Sequence, residues 1–232
     1  MDLKETKSTV VTTIISSEDG RNTYEIRKEI MEENSKEAVV IMLYPGTSYR
    51  DILKCDSTSQ AIINHCEELG ISRLRMVNLF SKVCSSRMST RNIEIDTDNI
   101  AYIEGIMKEE NAKSYDWIIA WGSSMPASVV AKQSKFQILL KLQKHLPSVK
   151  PKQFTVDNMD IQNEKGVHPL YMGIYYKNQV WKLQDYVLPK EILDSSKKKK
   201  ESKSGQKEDK TVKLVDKIKK NANSRYIMQD KS

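Results

Sequence analysis

Asn78 interrupts an otherwise apolar run, Met-Val-Asn-Leu-Phe at 76–80. A carboxamide taken out of water costs about 1–3 kcal/mol unless it is paired. Because it both donates and accepts, it suits reading the polar edge of a ligand; its other reading is a cap on the loop that follows. His168 stands before Pro169 in a loop with Gly166 ahead and Gly173 behind. It is the only one of the three histidines outside a helical pattern, and a candidate electrophile or proton donor. Tyr44-Pro45-Gly46-Thr47-Ser48 follows the run EAVVIML. A glycine there lets a backbone amide approach a ligand closely, and two hydroxyls stand ready beside it, though a plain turn needs the same residues. Trp121-Gly122-Ser123-Ser124 closes a third apolar run. Gly122 permits close approach and Ser123 can open a helix, while Trp121 reads as core.

Four strands and the helices between them must position these groups. EAVVIML (37–43) is a continuous apolar run of strand length, and SRLRMVNLF (72–80) and YDWIIAWG (115–122) read as a second and third buried strand. Such runs are buried on both faces, as in a parallel sheet. KQFTVDNM (152–159) is a fourth. Helical spacing marks 57–69, 97–112 and 134–146, with Ser57 or Thr58 capping the first, Asp96 or Thr97 the second, and Gly70 ending the first. VVTTII near the N-terminus reads as an edge strand, residues 21–30 as a short second strand, and 167–189 as a loop with one last strand or helix. The order β-α-β-α-β-α-β predicts an α/β three-layer sandwich with a central, mainly parallel four-stranded sheet flanked by helices. Ligands of such sheets sit beyond the carboxyl ends of the strands. That selects the loops at 44–56, 78–91, 122–128 and 166–173.

Charge divides the chain. Residues 195–232 carry thirteen Lys/Arg and five Asp/Glu, a net of +8, while residues 1–194 are nearly neutral at −1. A pI near 9.1 therefore describes the tail and not the body. The boundaries expected are a globular domain over 1–194 and a basic tail over 195–232 that cannot bury enough apolar surface to order itself. Lys197, Lys198, Lys199 and Lys200 form its first cationic cluster. Lys213, Lys217, Lys219 and Lys220 line TVKLVDKIKK (211–220), a segment suited to a short helix on a partner. Thirteen tethered cations would give salt-dependent, sequence-independent binding to nucleic acid.

Several classes drop out. No run of 18 apolar residues exists to span a membrane, and Asp2 and Glu5 stand where a secretory leader needs positive charge, so the expected location is the cytoplasm. Cys55, Cys66 and Cys84 form no CxxC pair, and no His/Cys cluster has metal-ligand spacing, so neither a metal nor a cofactor is expected. GxxxxGK[ST], GxGxxG, HExxH and GxSxG are all absent.

Taken in order, VVIMLYPGTS, DSTSQAI, RMVNLF, DNIAYI, IIAWGSS and HPLYMG resemble the bacterial and phage family called domain of unknown function 1643, over about residues 21–175. The family's usual pattern reads Met-Leu-Asn-Pro-Ser-Thr, an Asp-rich box, Val-Asn-Leu-Phe, Ala-Trp-Gly and His-Pro-Leu-Tyr. More remotely, the order is similar to that of the uracil-DNA glycosylase superfamily, which implies that superfamily's fold. This resemblance implies that Asn78 hydrogen-bonds a flipped-out base and that His168 stabilises charge on the departing base. It implies too that Pro45 and Gly46 help hold the phosphate backbone, and that Pro169 shapes the loop pressing on it. Unstacking is then repaid by a pocket that reads the base edge. Tyr44 departs from the pattern. The superfamily and the unknown-function family place Asp or Asn there, and a phenol with a pKa near 10 is a poor base at neutral pH. Asp51 and Asp56, in the same loop, are candidate substitutes.

Two readings follow. In one, the chain is a nucleic-acid-associated protein with a glycosylase-like base or nucleotide pocket. Catalysis by His168, Tyr44 and Asp56 would be reduced, altered or lost; Asn78, Pro45, Gly46, Thr47, Gly122, Ser123 and Pro169 would do the binding. If active, it is an N-glycosylase-like hydrolase. In the other, it is a non-catalytic DNA-binding or adaptor protein of phage or mobile-element replication, acting through the tail. Both name single- or double-stranded DNA as the partner, with replication or mobile-element proteins as further partners and no membrane.

Overall fold

A computed structural model describes residues 3–30, 36–84, 93–123, 125, 127–159 and 166–193. Within them the chain forms an α/β fold on one seven-stranded mixed sheet, ordered β1-β2-β4-β3-β5-β6-β7. The strands are β1 (Val10–Ser16), β2 (Thr23–Ile30), β3 (Lys36–Met42), β4 (Ile71–Asn78), β5 (Asp116–Ile119), β6 (Lys152–Thr155) and β7 (Lys182–Asp185). β3 runs parallel to β4 on one side and to β5 on the other, and β5 parallel to β6. β1 and β2 extend one edge antiparallel, and β7 the other.

The sheet is thus wider than the four strands expected. VVTTII and residues 21–30 form strands as read, and both join the central sheet, with β1 at its edge. What hydropathy does not show is that one side of β2 is charged and buried. Glu25 is fully buried and meets Arg75 of β4, itself only 6 % exposed; Arg75 also bonds Glu109, and Tyr102 and Arg27 donate to Glu25.

The core has two halves, because alternate strand residues point to opposite faces. Val39, Ile41 and Leu43 join Val77, Trp117 and Ile119 under α3 (Thr97–Met107) and α4 (Val129–His145). Ala38, Val40 and Met42 join Leu74, Met76, Ile118 and Ala120 with α1 (Ser57–Ile63), α2 (Cys66–Leu69) and α5 (Pro169–Tyr175). Helices therefore cover both faces.

Several boundaries differ from the sequence reading. The helix expected over 57–69 breaks at Asn64 and His65, where His65 stacks on Trp181 at 4.1 Å between ring centres. Its cap is Asp56, not Ser57 or Thr58. α3 is capped by Asp96 and stops at Met107, beyond which Glu109 binds Arg75. α4 starts at Val129, capped by Ser128, several residues ahead of the expected start at 134. The segment 167–189 holds both a helix and a strand. No helix among the described residues is long and apolar enough to cross a membrane. The tail from 195 on, with Lys197 to Lys200 and the segment 211–220, lies outside the described residues.

Candidate functional site

The parallel ladder sets where the loops begin. Met42 pairs with Asn78, and Ile41 with Ile119. Tyr44, Asn78 and Gly122 therefore leave the sheet at one edge, the carboxyl ends of β3, β4 and β5. Gly122 brings the fourth loop there: its N–H donates to the Gly166 carbonyl at 2.8 Å. A Cβ on Gly122 would stand 3.1 Å from that of His168.

Asn78 shares the strand face of Leu74 and Met76, the side covered by α1, α2 and α5. It is 1 % exposed, and its Oδ1 is buried without a hydrogen bond. Its backbone carbonyl accepts from Asn99 Nδ2 at 2.6 Å. The amide position is thus fixed by α3 from behind while its side chain is left unpaired.

Asp56 caps α1 on the same side. Its Oδ1 accepts from the N–H groups of Thr58 and Ser59, and its Oδ2 from the hydroxyls of Ser59 (2.6 Å) and Thr47 (3.3 Å). The Ser59 hydroxyl also lies 3.5 Å from Met76 Sδ. Ser59 thereby ties the Asp56 cap to the strand face that Met76 shares with Asn78.

His168 caps α5, with Pro169 buried at the first helical position. The Leu170 N–H donates to His168 Nδ1 at 3.2 Å, which assigns the proton of a neutral ring to Nε2. Burial pushes the His168 pKa below its ordinary value, against the opposing pull of the Asp56 carboxylate. The ring is therefore a neutral donor near pH 7, able to polarise a ligand oxygen but carrying no cation there. α5 lies close on α1, since a Cβ on Gly173 would stand 2.7 Å from that of Ala61.

Other expected residues have different neighbours. The Tyr44 ring packs with the α3/α4 half of the core, on the opposite face from Asn78. Pro45 is buried and its carbonyl accepts from the Cys84 N–H at 2.9 Å. Gly46 has no left-handed backbone and an open surround, so neither close packing nor its φ requires a glycine. The carbonyl of Thr47 accepts from the Thr23 hydroxyl at 3.0 Å. Asp51 is bound at the surface by Lys54 and Ser48, and Ser123 is exposed. Trp121 is buried, as its reading as core expects.

One group escaped the sequence reading. Lys135 of α4 reaches the Gly122 carbonyl at 3.5 Å, with its Nζ 5.3 Å from the centre of the Trp121 ring. The signal was present: Ala131, Lys135, Ile138 and Leu142 form one stripe at helical spacing, and a cation inside an apolar stripe is unusual. Starting the helix at 134 hid it.

Two concavities of the described surface lie elsewhere. One of about 220 Å³ lies between Gln143, Pro147 and Tyr186, and one of about 400 Å³ between Arg27, Glu37, Arg75 and Glu109. The second is the mouth of the charged network between β2 and β4. Neither includes Asn78 or His168. Among the described residues, no group of three or more His, Cys, Asp or Glu side chains is placed to hold a metal ion.

A family model described as "Protein of unknown function (DUF1643)" matches residues 24–170. No curated protein and no solved structure matches the chain.

Proposed function

The chain belongs to the DUF1643 family, and from that premise we propose that the edge where Asn78, Asp56 and His168 meet binds a nucleobase or nucleotide. The observation carrying this reading is the Asn78 carboxamide, buried and without a hydrogen bond at its Oδ1. An orphaned buried acceptor lowers stability by about 1–3 kcal/mol, a cost accepted where a ligand supplies the partner. A base edge, with donors beside acceptors, fits a carboxamide. His168 Nε2–H then donates to a base carbonyl.

The reading extends to the fold: a three-layer sandwich of the uracil-DNA glycosylase kind, with its parallel inner strands extended at both edges. It stops short of efficient hydrolysis. Tyr44 offers no carboxylate, and the Asp56 carboxylate already accepts four hydrogen bonds at the α1 terminus. Among the described residues no free base remains beside Asn78 to activate water, and binding without rapid bond cleavage is the function favoured.

Titration calorimetry with nucleobases and nucleosides tests the binding. Wild type should bind at least one, and Asn78→Ala should abolish that binding. No binding to any would defeat the reading. Uracil-containing and damaged-base oligonucleotides test the chemistry, and base release by wild type at an enzymatic rate would overturn the catalytic half.

A second reading has its own observation, the net +8 over residues 195–232. In it the tail holds DNA through phosphate contacts. Deleting 195–232 should abolish DNA retention at moderate salt, and retention unchanged by the deletion would exclude it.

A further inference from the structure

We propose that Lys135 is the anion-binding residue of this edge, and that it takes a phosphate carried by the ligand whose base Asn78 reads. Only the placing of the base rests on the function proposed above; the anion site stands on its own geometry.

Lys135 lies about one and a half helical turns into α4, whose Ser128 cap accepts from the Ala131 N–H at 3.2 Å. Helical side chains lean toward the N-terminus, so a lysine at this depth reaches back to the edge where β5 ends. Its Nζ meets the Gly122 carbonyl and the face of Trp121. Gly122 is in the left-handed region at φ +66°, and on its other side His168 approaches. Lys135 and His168 thus flank one glycine.

The partners of Lys135 differ from those of the other buried or partly buried lysines: Lys28 donates to the Thr12 hydroxyl at 2.8 Å. Lys141, on the same helix, bonds Glu104, and Lys152 bonds Asp116 at 2.7 Å. Among the described residues Lys135 has no carboxylate partner. The charged group acting on it is Lys132, three residues earlier in α4, and the neutral His168 ring lies across Gly122. Burial, with the repulsion from Lys132, brings its pKa down to about 8. An ammonium with three donors, given one long bond to a carbonyl and a ring face, has capacity left for a charged oxygen. A phosphate oxygen supplies it, and its negative charge offsets the desolvation.

The test is binding by wild type, Lys135→Gln and Lys135→Arg. Glutamine keeps an N–H donor for the Gly122 carbonyl and removes the charge. The probes are inorganic phosphate, the four deoxynucleosides, their 5′-monophosphates and a dinucleoside monophosphate. Wild type should bind a monophosphate about tenfold tighter than its nucleoside, the yield of one charge-assisted bond. Lys135→Gln should reduce the monophosphate to nucleoside affinity and leave the nucleoside unchanged, while Lys135→Arg retains the gain. Equal monophosphate affinity in wild type and Lys135→Gln would overturn the proposal. Phosphate binding without nucleoside binding would remove the base pocket and keep the anion site; nucleoside binding indifferent to phosphate would do the reverse. Preference for the monoester identifies a free nucleotide, and equal binding of the diester identifies a strand. Should Lys135→Gln fail to fold, wild type alone decides. Diester charge is constant from pH 6 to 9, so affinity should fall as pH rises through about 8, and a flat profile would overturn the assignment.

Discussion

Gly122 and His168 touch: a Cβ on the glycine would stand 3.1 Å from the Cβ of the histidine. Residue 122 also holds φ at +66°, where a side chain is strained. Gly122→Ala should therefore cost about 1–2 kcal/mol in urea unfolding. It should also push His168 away from the edge and raise its pKa toward 6.5 as burial lessens, read by NMR titration of the ring. An unchanged His168 titration in a folded Gly122→Ala protein would show that the contact does not hold the ring.

His168 links stability to acid. Its folded pKa is lowered, chiefly by burial. Above pH 6.5 the ring is neutral folded or unfolded, and no pH term arises. Below 6.5 the unfolded chain takes up a proton that the folded ring resists, so stability falls with pH until the folded pKa is passed. Protonation also ends the Nδ1 cap on Leu170. His168→Asn, a capping residue that does not titrate, should flatten this part of the stability profile. His168→Ala should lose the cap as well, about 1 kcal/mol. A wild-type profile identical to that of His168→Asn would contradict the burial.

Asn78 should trade stability for binding. Leucine has nearly its shape and no polar atom, so Asn78→Leu removes the orphaned Oδ1. The Asn99 bond is to the main chain and survives. The urea midpoint should rise by the equivalent of about 1 kcal/mol while nucleobase binding disappears. A fall in stability would mean that the carboxamide is satisfied in the native protein.

Glu25 and Arg75 should behave as a unit. Burial alone would raise the Glu25 pKa, but hydrogen bonds from Arg27, Arg75 and Tyr102 outweigh it and hold the carboxyl below its ordinary range. That stability is present above the unfolded carboxylate pKa and is lost as pH falls through the folded one. Arg75→Met leaves buried Glu25 only Arg27 and Tyr102 as partners, a loss of up to about 3 kcal/mol. Adding Glu25→Gln should recover part of it. Additive losses in the double variant would refute the coupling.

The sequence revealed what depends on local pattern. The runs at 37–43, 72–80 and 115–122 are legible as buried strands because no charged side chain interrupts their centres, except Arg75. That residue is the exception with a tertiary cause, since its partners Glu25 and Glu109 lie 50 and 34 positions away. The loops that gather at one edge were legible from strand order alone. Side-chain direction was not: Tyr44 leaves the same edge as Asn78 yet packs onto the opposite face. Asp56 was read as a possible base, whereas its carboxylate is occupied by the helix terminus it caps. Lys135 was hidden by a helix start placed too late.

The most direct measurement follows the Asn78 side-chain amide and the His168 ring nitrogens by 15N NMR while a nucleobase or nucleoside monophosphate is added. Both resonances should shift together, saturating with one affinity, and the shift should vanish for His168 in Asn78→Leu. If ligand binds and leaves both resonances in place, or if no such ligand binds at all, the edge between α1 and α5 is not a base pocket.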